Sequence, residues 1–410
     1  MHTRLAPEFA DNADAAEAGA ILGRCVHCGF CTATCPTYQL LGDELDGPRG
    51  RIHLIKQAFE GGTVTADTRL RLDRCLTCRA CETTCPSGVE YGRLLDHGRE
   101  LVEQRAPRSF AARAGRRALA AFLTGPLFAP LLRVGRALRP MLPAGIAARI
   151  PGTGSQGSWP QASHPRRMLL LQGCVHDALA PDVHAALARV LDRLGVTLLR
   201  TPQAGCCGAL RHHLTQQEGA RADARRNVDA WWPEVERGVE AIVVAASGCG
   251  PMVRDYGRVL RDDADYAHRA ARIASLVRDP AELLEPHLLQ LQRSAGAGAA
   301  QRVAFHSPCS LQHGLKIRGV VENLLRGLGA DLVPVPEAHL CCGSAGTYSL
   351  LQPGLSRELA ARKAEALMSS APQVILSANV GCIVQIASQA KAPVKHWVTW
   401  VDERLSGPAV

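Results

Sequence analysis

The sequence predicts an α+β chain: a helical, cysteine-dense first unit followed by two tandem α/β repeats that are also rich in cysteine. Three observations predict it. Eight of the sixteen cysteines lie in the first 85 residues, as two groups of four with the same spacing. The other eight recur as a duplicated pattern between Cys174 and Cys382. In that later half, short apolar runs alternate with helix-like stretches, the mark of parallel β/α units. The expected divisions are residues 1–105 for the first unit, 106–167 for a connector, 168–295 for one repeat and 300–410 for the other.

Residues 1–20 carry acids and alanines and read as a lead-in helix, lacking the basic head and apolar run of an export leader. A reducing cytoplasm is therefore the expected location. There, sixteen cysteines are expected to bind metal or do redox work rather than form disulfides. Further on, Pro48 to Glu60 puts Ile52, Ile55 and Phe59 on one helical face, and Gly61-Gly62 ends it.

The first cysteine group reads Cys25-Val-His-Cys28-Gly-Phe-Cys31-Thr-Ala-Thr-Cys35-Pro36, and the second Cys75-Leu-Thr-Cys78-Arg-Ala-Cys81-Glu-Thr-Thr-Cys85-Pro86. Both are C-x2-C-x2-C-x3-C-P. Three thiolates so spaced can wrap one face of a cubane, while the proline turns the chain away after the fourth. In two-cluster ferredoxins that fourth cysteine ligates the other cluster. The expectation is a dicluster ferredoxin-like unit with two [4Fe–4S] clusters. One is held by Cys25, Cys28, Cys31 and Cys85, the other by Cys75, Cys78, Cys81 and Cys35. Structural zinc explains neither the third cysteine nor the proline. Haem attachment needs a histidine directly after a C-x-x-C, which neither Cys28 nor Cys78 has. His27, Arg74 and Arg79 lie beside the motifs; they read as solvated side chains first, and as tuners of potential second.

The connector holds ten arginines and no Asp, Glu or Lys, against a net charge of +9 for the whole chain. Confined to one segment, with few aromatics to stack on bases, this charge argues against nucleic acid. Its longest apolar candidate for a span, between Arg117 and Arg133, has fifteen residues and is broken by Gly125, Pro126 and Pro130. That is too short to span a membrane. Arg113, Arg116 and Arg117 flank Leu119, Phe122, Leu123, Leu127 and Phe128, so two readings stand: a cationic amphipathic helix on the cytoplasmic face of the inner membrane, or a solvated helix docking on an acidic partner. The connector ends in the flexible run 151–158.

The repeat is Cys174, Cys206-Cys207-Gly208, Cys249, then Cys309, Cys341-Cys342-Gly343, Cys382. Single cysteine to pair is 32 positions in both copies, and pair to last cysteine is 42 and 40. Residues 294–299 are the expected joint. Strands are expected over 168–171, 196–199 and 241–246, and over 303–305, 332–335 and 374–376. Each cysteine step then follows a strand's C-terminal end, where open parallel sheets place ligands. Adjacent cysteines make strained disulfides, and glycine after them admits a bulky group. These eight thiols are candidate ligands of one or two further metal centres, iron–sulfur ahead of zinc; buried structural thiols are the alternative. His176, His306, His313 and His339 lie near these cysteines and read as ordinary core or surface histidines first, and as partners of the ligands or proton carriers second. Nothing resembles a substrate-processing site, so two clusters make a wire, and a partner must supply two-electron chemistry.

The stretches CVHCGFCTATCPTY, GDELDGPRGRI and LDRCLTCRACETTCPSGVEYGRL, within residues 21–99, resemble the iron–sulfur subunits of bacterial glycolate oxidase (glycolate dehydrogenase). The duplicated half is similar to a wider family that includes heterodisulfide reductase subunits and the anaerobic glycerol-3-phosphate and lactate-oxidising complexes. The resemblance implies a non-flavin subunit, inactive alone, of an oxidoreductase acting on CH–OH with a non-NAD acceptor. Glycolate would become glyoxylate at FAD in partner subunits, and electrons would cross this chain to a quinone or other acceptor. One departure counts against disulfide-reductase chemistry: the heterodisulfide reductase modules end each copy in C-x-x-C, whereas Cys249 and Cys382 stand alone.

Overall fold

The computed structural model describes residues 2–143, 157–296 and 299–406. Residues 151–156 of the expected linker and 297–298 of the expected joint lie outside the described residues. The chain divides into two compact units, one of residues 1–117, 213–215 and 339–360, the other of residues 118–212, 216–338 and 361–410.

The first unit is helical. Helix α1 (Ala13–Arg24) starts later than the expected lead-in helix, because Asn12 caps it: the Asn12 side-chain oxygen accepts from Ala15 N–H at 2.9 Å. Short α2 (Pro36–Leu41) follows the first cysteine group. Helix α3 (Pro48–Phe59) forms as expected, with Pro48 in its first turn and Ile52, Ile55 and Phe59 buried. After α4 (Ala66–Asp73) and α5 (Ala80–Thr84), α6 (Tyr91–Arg105) turns Leu94, Leu95, Leu101 and Val102 onto Ile21 and Leu22 of α1 and Ile55 of α3. Burying each such side chain contributes about 1.5–3 kcal/mol. This core supports the two cysteine loops from below.

The connector continues as α7 (Phe110–Thr124) and α8 (Phe128–Leu138), interrupted at Gly125-Pro126. Along α8, Leu127, Leu131, Val134 and Leu138 recur at helical spacing and are all exposed. Among the described residues, no single helix is long and apolar enough to cross a membrane.

The second unit carries two four-stranded parallel sheets of matching order. Strands β1 (Arg166–Leu170), β2 (Val196–Arg200), β3 (Ile242–Val243) and β4 (Val277–Arg278) lie in the order β2-β1-β3-β4. Strands β5 (Gln301–His306), β6 (Ala330–Leu332), β7 (Val374–Ser377) and β8 (Val394–His396) lie in the order β6-β5-β7-β8. The duplication of cysteine spacing is thus a duplication of fold. Each sheet has one strand more than expected. β4 and β8 are two and three residues long and mix charge with apolar residues, so neither shows as an apolar run. β6 ends before the expected segment's Pro334, which has no N–H for a ladder.

One hydrophobic core serves both sheets. It joins Leu170, Leu187 and Leu191 of the first repeat to Val303, Leu376, Trp397 and Trp400 of the second. Arg189 clamps the repeats together, donating to Asp402 Oδ2 from Nη2 at 2.6 Å and from Nε at 2.9 Å.

Candidate iron-sulfur centres

The two cysteine loops of the first unit share one backbone device. His27 and Gly29 have φ of +54° and +84°, and at the same steps in the second loop Thr77 and Arg79 have +54° and +59°. Three of these four residues are not glycine, so each loop holds backbone strain. Alternating left- and right-handed residues point successive N–H groups into one concavity, a geometry suited to iron–sulfur sites. After each loop the fourth cysteine leaves the helical path: Cys35 precedes α2 with Pro36 at its first position, and Cys85 ends α5.

Two cavities result. The first is lined by Cys25, Cys28, Cys31, Cys81 and Cys85. The second is lined by Cys35, Cys75, Cys78 and Cys81. Burial, then Cys25, then Cys85 and Cys28 push the Cys31 thiol up to about 11. Burial, then Cys78, Cys75 and Cys35 push Cys81 well above the ordinary thiol range. In each case the neighbouring thiols disfavour ionisation, a repulsion that a cationic metal core would relieve. The donor set, soft thiolates without carboxylates, fits an iron–sulfur cluster.

Polar groups crowd the second cavity. Arg51 is fully buried and lines it; its Nε donates to Arg71 O at 2.8 Å and its Nη1 to Thr37 Oγ1 at 3.1 Å. Thr37 Oγ1 lies 3.3 Å from Cys35 Sγ, and the buried Tyr91 hydroxyl donates to Cys75 Sγ at 3.7 Å. Arg74 binds the buried Asp46 at 2.9 Å rather than being solvated. Arg79 closes over Gly92, where a Cβ would come within 2.7 Å of its Nε. His27 lines the first cavity, and burial, with neighbouring His53 and Arg49, lowers its pKa. The first reading as solvated side chains holds for His27, which is exposed, and not for Arg74 and Arg79, which are half-buried and packed against neighbours. Arg51, Thr37 and Tyr91 were not singled out in the sequence. A charged residue on the buried stripe of α3 was the available signal.

In the first repeat, Cys174 follows β1, Cys206-Cys207 follow β2, and Cys249 follows β3. The Cys206 thiol is flanked by those of Cys174 and Cys207, and Gly208 N–H donates to its Sγ at 3.4 Å. Hydrogen bonds from Cys174 and Cys207, then the Gly208 N–H, hold Cys206 well below the ordinary thiol range, while Cys174 and Cys207 are raised. One thiolate is thus already favoured here. A buried polar frame holds the pair: Asn227 Oδ1 accepts from Gly205 N–H at 2.8 Å, and Asn227 Nδ2 donates to Cys206 O at 2.9 Å and to Tyr256 Oη at 2.8 Å. The Tyr256 hydroxyl in turn donates to Cys207 O at 3.0 Å. Neither Asn227 nor Tyr256 was expected.

In the second repeat, Cys309 and Cys382 belong to the second unit and Cys341-Cys342 to the first. Cys309 follows β5, and Cys382 sits on the helix Val380–Ala387, where Asn379 Nδ2 donates to its Sγ at 3.6 Å. Cys341 and Cys342 are buried; Gly343 (φ +82°) donates its N–H to Cys341 Sγ at 3.4 Å and accepts from Ser356 Oγ at 2.9 Å. Of the four histidines near the repeats, His176, His306 and His313 are buried and His339 is half-buried.

The 4Fe-4S dicluster domain family matches residues 21–89, and the cysteine-rich domain family matches twice, over 168–254 and 303–387. The chain is 51% identical to a glycolate oxidase iron-sulfur subunit of Escherichia coli (strain K12), over 99% of both chains. It is 28% identical to a probable glycolate oxidase iron-sulfur subunit of Bacillus subtilis (strain 168), over 92% of this chain and 90% of that one. It is also 25% identical to lactate utilization protein A of an Exiguobacterium species, over 53% of this chain and 86% of that one.

Proposed function

The chain belongs to the family of glycolate oxidase iron–sulfur subunits, and from that premise we propose that it relays electrons from a flavin in partner subunits, where glycolate becomes glyoxylate, to a quinone or other acceptor. Identity along the full chain favours glycolate over the lactate-type complexes, whose relative matches only about half of it. The observation that carries the reading is the grouping of eight thiols around two cavities, with Cys85 on the first and Cys35 on the second. In this reading Cys25, Cys28, Cys31 and Cys85 hold one [4Fe–4S] cluster, and Cys75, Cys78, Cys81 and Cys35 the other. When bound, the clusters supply one-electron transfer. The chain's residues position the thiolates, donate hydrogen bonds to them and keep water from the inner cavity. Exchange of the last ligand ties the loops together, so that folding and metal loading of the first unit are coupled.

The eight thiols of the repeats are candidate ligands of one or two further centres, Cys174, Cys206, Cys207 and Cys249 in the first copy and Cys309, Cys341, Cys342 and Cys382 in the second, because each follows the C-terminal end of a strand. Four thiols rather than five leave disulfide-reductase chemistry without its ligand set. The subunit is not active without its flavin partners. The exposed apolar stripe of α8, with Arg133 and Arg139 and no acid nearby in sequence, suits the surface of an anionic bilayer on the cytoplasmic side. Salt-sensitive flotation with anionic liposomes supports that part, and no binding at low salt rejects it.

The test is loss of transfer in the assembled complex. Cys28→Ser and Cys78→Ser each abolish glycolate-dependent dye reduction; full activity in either variant contradicts an obligatory route through the clusters.

A further inference from the structure

The two front sites are not electrically equivalent. The second contains a fully buried guanidinium, Arg51, with 1% of its surface exposed. Its carboxylate neighbour, Asp46, is also buried but is held more closely by other cations: Asp46 Oδ2 is 2.6 Å from Arg71 and 2.9 Å from Arg74, whereas Asp46 Oδ1 is 3.4 Å from Arg51 Nη2. Arg51's remaining donors go to neutral oxygens, Arg71 O and Thr37 Oγ1. Much of its charge is therefore uncompensated and faces the cavity of Cys35 and Cys75. Cys75 Sγ also receives the Tyr91 O–H and, at 3.4 Å, the Thr77 N–H.

The first site differs. Its nearby guanidinium, Arg49, has a side chain 38% exposed and sits 2.6 Å from the Glu44 carboxylate. Water and a counter-charge both weaken its field there. Exposure of Cys28 acts the other way, since solvent also favours a more negative cluster. A desolvated full charge outweighs partial hydration, because no solvent screens it.

Taking one electron makes a thiolate-ligated cluster more negative by one charge. Buried positive charge and hydrogen bonds to the sulfurs stabilise that reduced form. Resting on the ligand sets proposed above, we propose that Arg51 makes the cluster of Cys35, Cys75, Cys78 and Cys81 the more readily reduced of the two. An electron entering at the solvent-facing Cys25–Cys31 loop then passes inward and rests there; the first cluster is oxidised by one electron as the second is reduced. Arg51 acts as a positioning residue for charge, not as a ligand.

The test is an EPR-monitored redox titration of the full chain, loaded anaerobically and reduced with dithionite. Wild type shows two separated steps. Arg51→Met lowers the reduction equilibrium of the higher step by roughly tenfold or more, ~59 mV for a one-electron couple, and moves the lower step less. Arg51→Lys restores most of the shift. Cys28→Ser alters the lower step and leaves the higher one in place. Should Arg51→Met fail to load iron, Arg51→Gln decides, since it keeps a polar side chain able to reach Thr37 Oγ1 and removes the charge: a drop confined to the higher step supports the proposal, and an unmoved step overturns it. Equal shifts of both steps in Arg51→Met, or loss of the higher step in Cys28→Ser, also overturn it. Wild type holding fewer than about eight irons would instead mean that the ligand sets themselves are wrong.

Discussion

Replacing Asn227 by alanine should destabilise the second unit severely, through the cysteine pair of the first repeat. Asn227 is fully buried and makes hydrogen bonds at 2.8, 2.9 and 2.8 Å to Gly205, Cys206 and Tyr256. Three net contributions of about 1 kcal/mol give about 3 kcal/mol. The variant also leaves Gly205 N–H without that acceptor, which adds about 1–3 kcal/mol. Cys206 O keeps a longer bond from Arg226 at 3.4 Å, and Tyr256 keeps Cys207 O, so those groups add little. The expected loss is about 4–6 kcal/mol, a large share of a domain stability of about 5–15 kcal/mol. Tryptophan fluorescence in urea reads it cleanly, because all five tryptophans (159, 231, 232, 397 and 400) lie in the second unit. Asn227→Asp, which keeps the acceptor and loses both donors, should fall between. A variant within about 0.5 kcal/mol of wild type would refute the claim that this polar frame holds the pair.

Three further outcomes are expected. Gly343→Ala should cost about 2–4 kcal/mol by chemical denaturation, since the position has φ +82° and a Cβ there would meet Ser356 O at 2.7 Å and Leu359 Cβ at 2.9 Å. Asp402→Ala should lower the unfolding free energy of the second unit by about 2–4 kcal/mol, because Arg189 loses both of its bonds to the second repeat. Burial raises the Asp279 carboxyl from 3.8 to about 7, so between those values the folded chain keeps a proton that the unfolded chain has released. Stability should therefore fall as pH rises from about 4 through about 7, by on the order of 4 kcal/mol. Asp279→Asn, which keeps the cap onto Ala281 N–H, should flatten urea midpoints across that window.

Features held by local spacing were legible in the sequence, and features held by distant contacts were not. The cysteine loops could be read because each places three cysteines within seven consecutive residues. The duplicated α/β order could be read because β1, β2, β5 and β7 are apolar and buried. β4 and β8 escaped because two or three residues cannot establish a period. Arg51 and Asn227 escaped for a different reason: each is polar on a buried helical stripe, and its partners come from elsewhere in the chain. Arg51 lies on the stripe of Ile52, Ile55 and Phe59, and Asn227 on that of Ala220, Ala224 and Trp231. A polar residue breaking such a stripe is the signal for both.

Iron and acid-labile sulfide analysis of anaerobically prepared chain, with low-temperature EPR of the reduced protein, tests the central claim most directly. Two front clusters predict about eight irons and an interacting pair of reduced signals, rising towards sixteen irons if both repeats are loaded with cubanes. A folded, colourless and iron-free chain would contradict it.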